Sequence, residues 1–349
     1  MAVRVYLKQA WNLMKQNPLF STLYIVGTGI SIVMTMVIAI VYYVRLAPVY
    51  PETNRMRTLV VKSAKMTNDE STHSANISYA MLKDWFYSLE SAEVSTGVSG
   101  TSYARVTNDK EEIPTYARYT DENFFRVFPL VFLEGKPFTE ADRRSGIHNV
   151  VLTDSYAQQL FGTTKGVVGK NFLMDYTNVK VVGVVKSGSF LTPDSYAQVY
   201  LPYSCRDGYD DEGSHWALGG YRVYILMKES KSVTDVQDEV LELVRKFNVS
   251  DMGDGWKLDL VGQPELYWHS TFRLWSNVAV DWGRVIWMFV GIFMVLLFVP
   301  AFNLSGMISA RMERQLPDLG IRKAFGASRR RLLVQIIWEN LLLTGLGTL

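Results

Sequence analysis

The stretch Leu23–Val44, LYIVGTGISIVMTMVIAIVYYV, carries no charged side chain, and the nearest charges on either side are Lys15 and Arg45. As a helix rising about 1.5 Å per residue it covers the roughly 30 Å hydrocarbon core of a bilayer. A second uncharged run lies between Arg284 and Arg311, centred on VIWMFVGIFMVLLFVPAFNLSGMISA, and a third, Leu332–Leu349, carries only Glu339 before the sequence stops. The first run is too long for a cleaved signal peptide and has no small-x-small site before Arg45, so it reads as an uncleaved anchor. The chain has 349 residues, 48% hydrophobic and 20% charged, with a formal net charge of +2. Its mean hydropathy of +0.04 is high for that share of charge, because the apolar residues are gathered into blocks. Cys205 is the single cysteine, and the composition excludes disordered, collagen-like and disulfide-stapled chains.

Orientation follows from lysine and arginine. Before the first run stand Arg4, Lys8 and Lys15 with no acid. After the second stand Arg311, Arg314, Arg322, Lys323, Arg329, Arg330 and Arg331 against Glu313 and Asp318. The positive-inside rule puts both short segments in the cytoplasm and the region between the runs outside. Residues 45–310 hold 26 Lys+Arg and 31 Asp+Glu, mildly acidic as exported domains are. Tyr42 and Tyr43 close the first run, while Trp282 and Trp287 open the second as an interfacial aromatic belt. Near the start, Val3, Leu7, Trp11 and Met14 share one helical face and Arg4, Lys8, Asn12 and Lys15 the other. That pattern suits a helix in the inner headgroup layer, broken at Asn17-Pro18. The expected layout is a cytoplasmic amphipathic helix (1–20), transmembrane helix 1 (21–45), an extracytoplasmic domain (46–283), transmembrane helix 2 (284–310), a cytoplasmic segment (311–331) and the start of a third span (332–349).

The outer region reads as α+β in two subdomains, inserted between helices 1 and 2 of an α-helical membrane domain. RTLVVKSAKM alternates like one strand, and SYAMLKDWFYSL has helical spacing. EVSTGVSGTSYARV and EIPTYARYT read as strands. HNVVLTDSYAQQLFG reads as strand, Thr153 or Asp154 cap, short helix and Gly162 stop. VKVVGVVKSG and AQVYLPY are strands, and YRVYILMK, SVTDVQDEVLELVRKF and WKLDLVG give strand–helix–strand with Ser232 or Thr234 as the cap.

In the cytoplasmic segment, Pro317 suits a helix start and Asp318 can cap its free N–H groups and complement the dipole. Gly326 can adopt positive φ and stop the helix, and Ser328 can cap the next. Arg329, Arg330 and Arg331 then anchor the turn to anionic lipid of the inner leaflet, each worth about 1 kcal/mol there.

DENFFRVFPLVFLEGKPFTEAD, NVVLTDSYAQQLFG and GVVGKNFLMDYTNVKVVGVVKSGS together resemble the periplasmic core domain of MacB-type ABC transporter permeases. NLSGMISARMERQLPDLGIRKAFGASRRRLLVQIIWENLLL resembles the FtsX/MacB permease signature, roughly E-[IL]-G-I-R-K-A-x-G-A, with Asp318 where Glu is usual and Pro317 before it. The resemblance implies that Asp318, Leu319, Gly320, Ile321, Arg322, Lys323, Ala324, Gly326 and Ala327 form a coupling helix docking on a separate ABC ATPase subunit. It implies an inner-membrane, multi-pass permease with its large domain in the periplasm, paired as a homodimer or with a second permease and joined by a periplasmic adaptor. It also implies four spans, so that the C-terminal part is missing here. ATP and Mg belong to the partner ATPase, with no cofactor bound by this chain, and the cargo is an exported drug, peptide or lipoprotein. The alternative is a non-transporting signal transmitter, or an anchored receptor, that activates a hydrolase or kinase.

No catalytic constellation competes. GVVGK at 166–170 lacks the upstream Gly and the Ser/Thr of a phosphate loop, and there is no G-x-S-x-G or H-E-x-x-H. His73, His148, His215 and His269 are scattered without zinc spacing. Cys205 is read as a spectator, and Asp207, Asp210, Asp211 and Glu212 as a solvated loop. Nothing suggests nucleic acid. Glu339, in the third apolar run, is read as pairing with an inner-interface arginine, while Gly27, Gly29, Ser305, Gly306 and Ser309 permit close helix packing.

Overall fold

The computed structural model describes residues 18–100, 102–108, 111–210, 216–250, 255–298, 320–321, 323–326 and 328. The expectations for the N-terminal amphipathic helix, for Glu339 and for the third apolar run fall outside these residues. The chain divides into two compact units, one within Met1–Tyr42 and Trp282–Leu349, the other Tyr43–Asp281.

Helix α1 (Pro18–Leu46) has 29 residues, with Arg45 in its last turn where a cation complements the dipole. Its length is about 43 Å. A second helix covers 282–298. Within the first unit the Tyr42 and Phe289 rings meet with centroids 4.9 Å apart. Ile30, Val33, Met36, Val37 and Ile40 of α1 are exposed, as are Ile286, Phe293, Val295 and Leu297 of the second helix. Some side chains along α1 lie outside the described set, and among the described residues no helix is long and apolar enough to cross a membrane. The spanning role of both segments therefore rests on their sequence pattern.

The second unit carries two sheets. The first contains β1 (Thr58–Val61), β2 (Ala64–Thr67), β3 (Thr72–Ile77), β4 (Ala92–Ser99), β12 (Leu218–Gly219), β13 (Tyr221–Met227), β14 (Lys257–Asp259) and β15 (Glu265–Leu266). Its order is β14-β2-β3-β13-β1-β15, with β4 along the other edge of β13 and β12 on β3. The second contains β5 (Ser102–Asn108), β6 (Glu111–Thr120), β7 (Phe132–Gly135), β8 (Asn149–Thr153), β9 (Asn171–Met174), β10 (Thr177–Val185) and β11 (Val199–Pro202). Its order is β7-β10-β8-β11-β6-β5-β9, and β9 also pairs with β10, closing all of these strands but β7 into a ring.

Side-chain alternation on β1 explains the layering. Leu59 and Val61 face a core shared with Ile77, Val223 and Ile225, covered by α2 (Tyr79–Asp84) and by a longer helix, Val233–Val249. Val60 faces a second core with Tyr224, Leu226 and Tyr267. That second core is plugged by α3 (Phe124–Val127), whose flanking run FFRVF buries Phe124, Phe125, Val127 and Phe128. Phe124 packs against Tyr200 of β11 (centroids 5.4 Å) and Phe128 against Tyr224 of β13 (5.2 Å), so one short helix joins the two sheets. Each such ring contributes about 1.5–3 kcal/mol by leaving water. A third core fills the ring of the second sheet with Val106, Leu152, Val181 and Leu201, flanked by Tyr156 and Leu160 of α5 (Asp154–Phe161). Between α3 and α5 lies α4 (Glu140–Arg144), and Val233–Val249 is α6.

Local signals read from sequence account for several boundaries. Thr153 caps α5 by accepting from the Tyr156 amide, and Gly162 ends it at φ 70°. Ser232, not Thr234, caps α6 in a capping box with Asp235. Two expected strands are split. RTLVVKSAKM becomes β1 and β2, because Lys62 and Ser63 turn their backbone to the Gln263 side chain rather than to a strand. EVSTGVSGTSYARV becomes β4 and β5 in different sheets, since β4 is covered on both faces whereas the segment after Gly100 alternates. The helical reading of SYAMLKDWFYSL holds only through Asp84, after which a 3-10 turn, Phe86–Ser88, follows.

Candidate functional site

In the segment 311–331, expected from sequence to be cytoplasmic, Gly320, Ile321, Lys323 and Ala324 are helical. The Phe325 amide bonds the Ile321 carbonyl at 3.0 Å, and the Gly326 amide bonds the Lys323 carbonyl at 3.1 Å. Gly326 then takes φ +88°, a conformation that costs a side-chain-bearing residue about 1–2 kcal/mol and stops the helix. Ile321 and Phe325, four residues apart on one face, are 56% and 87% exposed. The turn therefore presents an apolar pair flanked by Lys323. Asp318, Leu319, Arg322, Ala327, Arg329, Arg330 and Arg331 lie outside the described residues. Phe325 occupies the variable position of the signature, so motif matching passes over it, although its spacing from Ile321 marks it.

The outer unit is tied to its two chain connections by buried ion pairs. Arg55 donates from Nε to Glu52 (2.8 Å) and pairs with the same carboxylate through its second terminal nitrogen. Its remaining nitrogen donates to the carbonyls of Val44 (2.5 Å) and Ala47 (3.1 Å), at the last turn of α1. The buried guanidinium thus caps a helix end that has no further amides of its own to offer. Ser195 Oγ donates to the other Glu52 oxygen at 2.7 Å. At the opposite connection Arg273 pairs with buried Glu265 and donates to the carbonyls of Val261 (2.9 Å) and Val278 (2.7 Å). Leu59 pairs with Leu266 and Val60 with Glu265, so the strands next to the two connections are hydrogen-bonded neighbours.

Two carboxylates join the sheets. Asp194, beside Ser195 in the loop between β10 and β11, meets Lys62 and Arg222 at 3.3 Å each. Burial works to raise its pKa, but Lys62, Arg222 and Arg118 outweigh it and hold the carboxyl well below its usual range. Asp121, after β6, accepts from Tyr87 Oη (2.6 Å), Thr96 Oγ (2.7 Å) and the amides of Gly97 (2.8 Å), Asn123 (3.0 Å) and Phe124 (3.2 Å). Asn123 Nδ2 and Thr120 Oγ donate to the carbonyls of Ser95 and Gly97. Side chains of the second sheet thereby satisfy stretches of the outer edge of β4. Burial pushes the Asp121 carboxyl up to about 6 against the pull of these donors.

Residues 20–243 match the family described as MacB-like periplasmic core domain, and residues 277–349 match the FtsX-like permease C-terminal family. The chain belongs to the MacB/FtsX-type permease family. Relatives include the pyoverdine export ATP-binding/permease protein PvdT of Pseudomonas fluorescens, 24% identical across 67% of this chain and 33% of that protein. The macrolide export ATP-binding/permease protein MacB of Escherichia coli is 21% identical across 70% of this chain and 35% of its own length. This permease chain thus spans about a third of the length of these relatives. The periplasmic region of MacB from Actinobacillus actinomycetemcomitans aligns with a TM-score of 0.41 at 16% identity, over 57% of this chain and 88% of that one. The extracellular domain of the noncanonic ABC-type transporter YknZ aligns with a TM-score of 0.39 at 16% identity, over 57% and 100%.

Elsewhere in the permease the residues set aside from sequence occupy structural positions. In GVVGK the Gly169 amide bonds Val181, the Lys170 amide bonds Val167 and the Val167 amide bonds Glu134, so the turn spends its amides internally. His73 packs on Trp256 (5.3 Å) and His269 on Trp268 (4.0 Å). His215, Asp211 and Glu212 lie outside the described residues, among which no group of His, Cys, Asp or Glu is arranged to hold a metal ion. Cys205 Sγ lies 3.6 Å from the Ile147 carbonyl, and burial raises its pKa to about 11, away from thiolate reactivity. Trp282 and Trp287 are both exposed. The buried groups at the junctions, Glu52, Arg55, Asp121, Asp194, Glu265 and Arg273, were not singled out from sequence. Only Glu52 and Arg55, three residues apart just beyond the first apolar run, carried a local signal.

Proposed function

We propose that this permease chain couples ATP hydrolysis on a separate ABC ATPase subunit to a change of shape in its periplasmic domain, and that the change drives export. The observation that carries the reading is the exposed apolar pair Ile321 and Phe325 on a helical turn ended by Gly326, within the Asp318–Ala327 signature. An apolar knob with a neighbouring lysine is suited to a cleft on a partner protein, and a rigid stop fixes the direction in which it pushes. Arg329, Arg330 and Arg331 hold the segment at the inner leaflet. The spans carry the displacement to the outer unit, where Arg55 receives it at the end of α1 and Glu52 and Ser195 pass it to the second sheet. We assign the chain to the inner membrane with the domain in the periplasm, working as a pair of permeases with two ATPases and a periplasmic adaptor.

The cargo we propose is a drug, peptide or lipoprotein, a range supported by relatives named for export of pyoverdine and of macrolides. Chemistry belongs to the ATPase, which holds ATP and Mg. The test is purification of the full-length protein from native membranes in mild detergent with identification of what accompanies it. A near-equal amount of ABC ATPase, lost when Gly320 and Arg322 are replaced, is the expected result. A kinase without an ATPase would overturn the reading in favour of a receptor.

A further inference from the structure

Between the 3-10 turn His269–Phe272 and the helix over 282–298 the chain runs LWSNVAV, residues 274–280, without a charge. Leu274 and Trp275 are 63% and 66% exposed, and Val278 is exposed as well. These side chains are held out by a closed loop. The Val278 amide bonds the Trp275 carbonyl at 3.2 Å, and Arg273 donates to the Val278 carbonyl while its buried guanidinium stays on Glu265. A second apolar side chain, Met56, stands exposed at the other connection, next to Arg55. The Tyr267 amide bonds the Thr58 carbonyl at 2.8 Å, which sets the two connections at the same end of the first sheet.

We propose that this end of the outer unit rests on lipid, with Leu274 and Trp275 inserted into the headgroup–acyl boundary of the outer leaflet. The proposal rests on the reading of 282–298 as a bilayer helix. Chain continuity argues for lipid as the occupant. Trp275 precedes Trp282 by a gap that spans at most about 25 Å, so an interface reached by the helix start lies within its range. Tryptophan, with a large apolar body and one N–H, is enriched at that depth, and an uncharged loop avoids the large cost of desolvating a charge on entering it. A rigid loop also loses little entropy on insertion. The loop then fixes the return connection at the membrane surface, so that displacement delivered through α1 bends the domain against a held point.

The test uses full-length protein carrying Cys205→Ser, reconstituted in phosphatidylethanolamine–phosphatidylglycerol vesicles. Nitroxide labels are placed through Leu274→Cys, Trp275→Cys, Phe293→Cys and Val249→Cys, one at a time. Power saturation then compares collisions with oxygen, which partitions into lipid, and with a water-soluble nickel chelate. Labels at 274 and 275 are expected to favour oxygen, as at 293 in the middle of the helix, while the exposed position 249 favours the chelate. Chelate-dominated collisions at 274 and 275 with oxygen-dominated ones at 293 would overturn the proposal and leave the bilayer helix standing. Exclusion of both reagents at 274 and 275 would overturn it in favour of a protein partner. Chelate access at 293 would remove the bilayer helix and the proposal together. Thermal unfolding of each labelled protein checks that these exposed substitutions leave the fold intact.

Discussion

Replacing Arg55 by methionine keeps much of the aliphatic volume but leaves Glu52 buried opposite Ser195 alone and strips the Val44 and Ala47 carbonyls of their donor. Removing one member of a buried pair costs about 3–5 kcal/mol. Arg55→Met is therefore expected to lower the thermal unfolding midpoint of the detergent-solubilised protein sharply. Adding Glu52→Gln should recover part of the loss, because it removes the stranded charge; strict additivity of the two changes would contradict a coupled pair. Asp121 gives a pH signature of its own. Its carboxyl sits near 6 in the folded protein against 3.8 for an ordinary aspartate, so the folded state binds the proton more tightly. That contribution to stability is complete below about pH 4 and is lost as pH rises through 6. The wild-type midpoint minus that of Asp121→Asn should accordingly fall as pH rises across that window, and a value that rose with pH would show the folded pKa to be depressed instead. Arg55 had a local signal in Glu52 three residues before it, whereas Asp121 had none, since burial of its charge depends on which distant strand arrives beside it.

Among the elements, the turn around 320–326 that we propose for coupling is where sequence and geometry meet most directly. The glycine stop and the helical state of Gly320, Ile321, Lys323 and Ala324 were both legible, because backbone handedness and local hydrogen bonding need no partner to be read. Phe325 was passed over because a motif records identities while a binding face records spacing. Phe325→Ala is expected to reduce stimulation of the partner ATPase by about tenfold, the weight of one interfacial aromatic anchor, with membrane insertion unchanged. Gly326→Val should also uncouple, by forcing the φ +88° position out of its conformation and redirecting the turn. Unaltered ATPase stimulation in both variants would remove this turn from the coupling path. In the outer unit, cap residues such as Thr153 and Ser232 were similarly legible. The switch of β4 and β5 between sheets was not, because a continuous alternating pattern does not say which sheet each half joins.

For the whole molecule, the expected membrane layout rests on the apolar blocks and charge asymmetry of the sequence, and the outer unit's polar network has two arms, one at each chain connection. On the proposed function, only a difference in free energy between two shapes can carry ATP-driven work to the outer domain, so ATP binding would have to change how strongly some contact there is made. The Arg55–Glu52–Ser195 chain is suited to that role, because it connects the end of α1 to the same loop, residues 186–198, that Asp194 fastens to Lys62 and Arg222. Hydrogen exchange of the assembled permease and ATPase is expected to show protection in 186–198 that differs between nucleotide-free and vanadate-trapped states. In Arg55→Met that difference should vanish while ATP hydrolysis continues, since the motor is intact and only its outer linkage is cut. Persistence of the full difference in the variant would mean that displacement enters by the other connection, and Arg273→Met would then be the substitution that silences it.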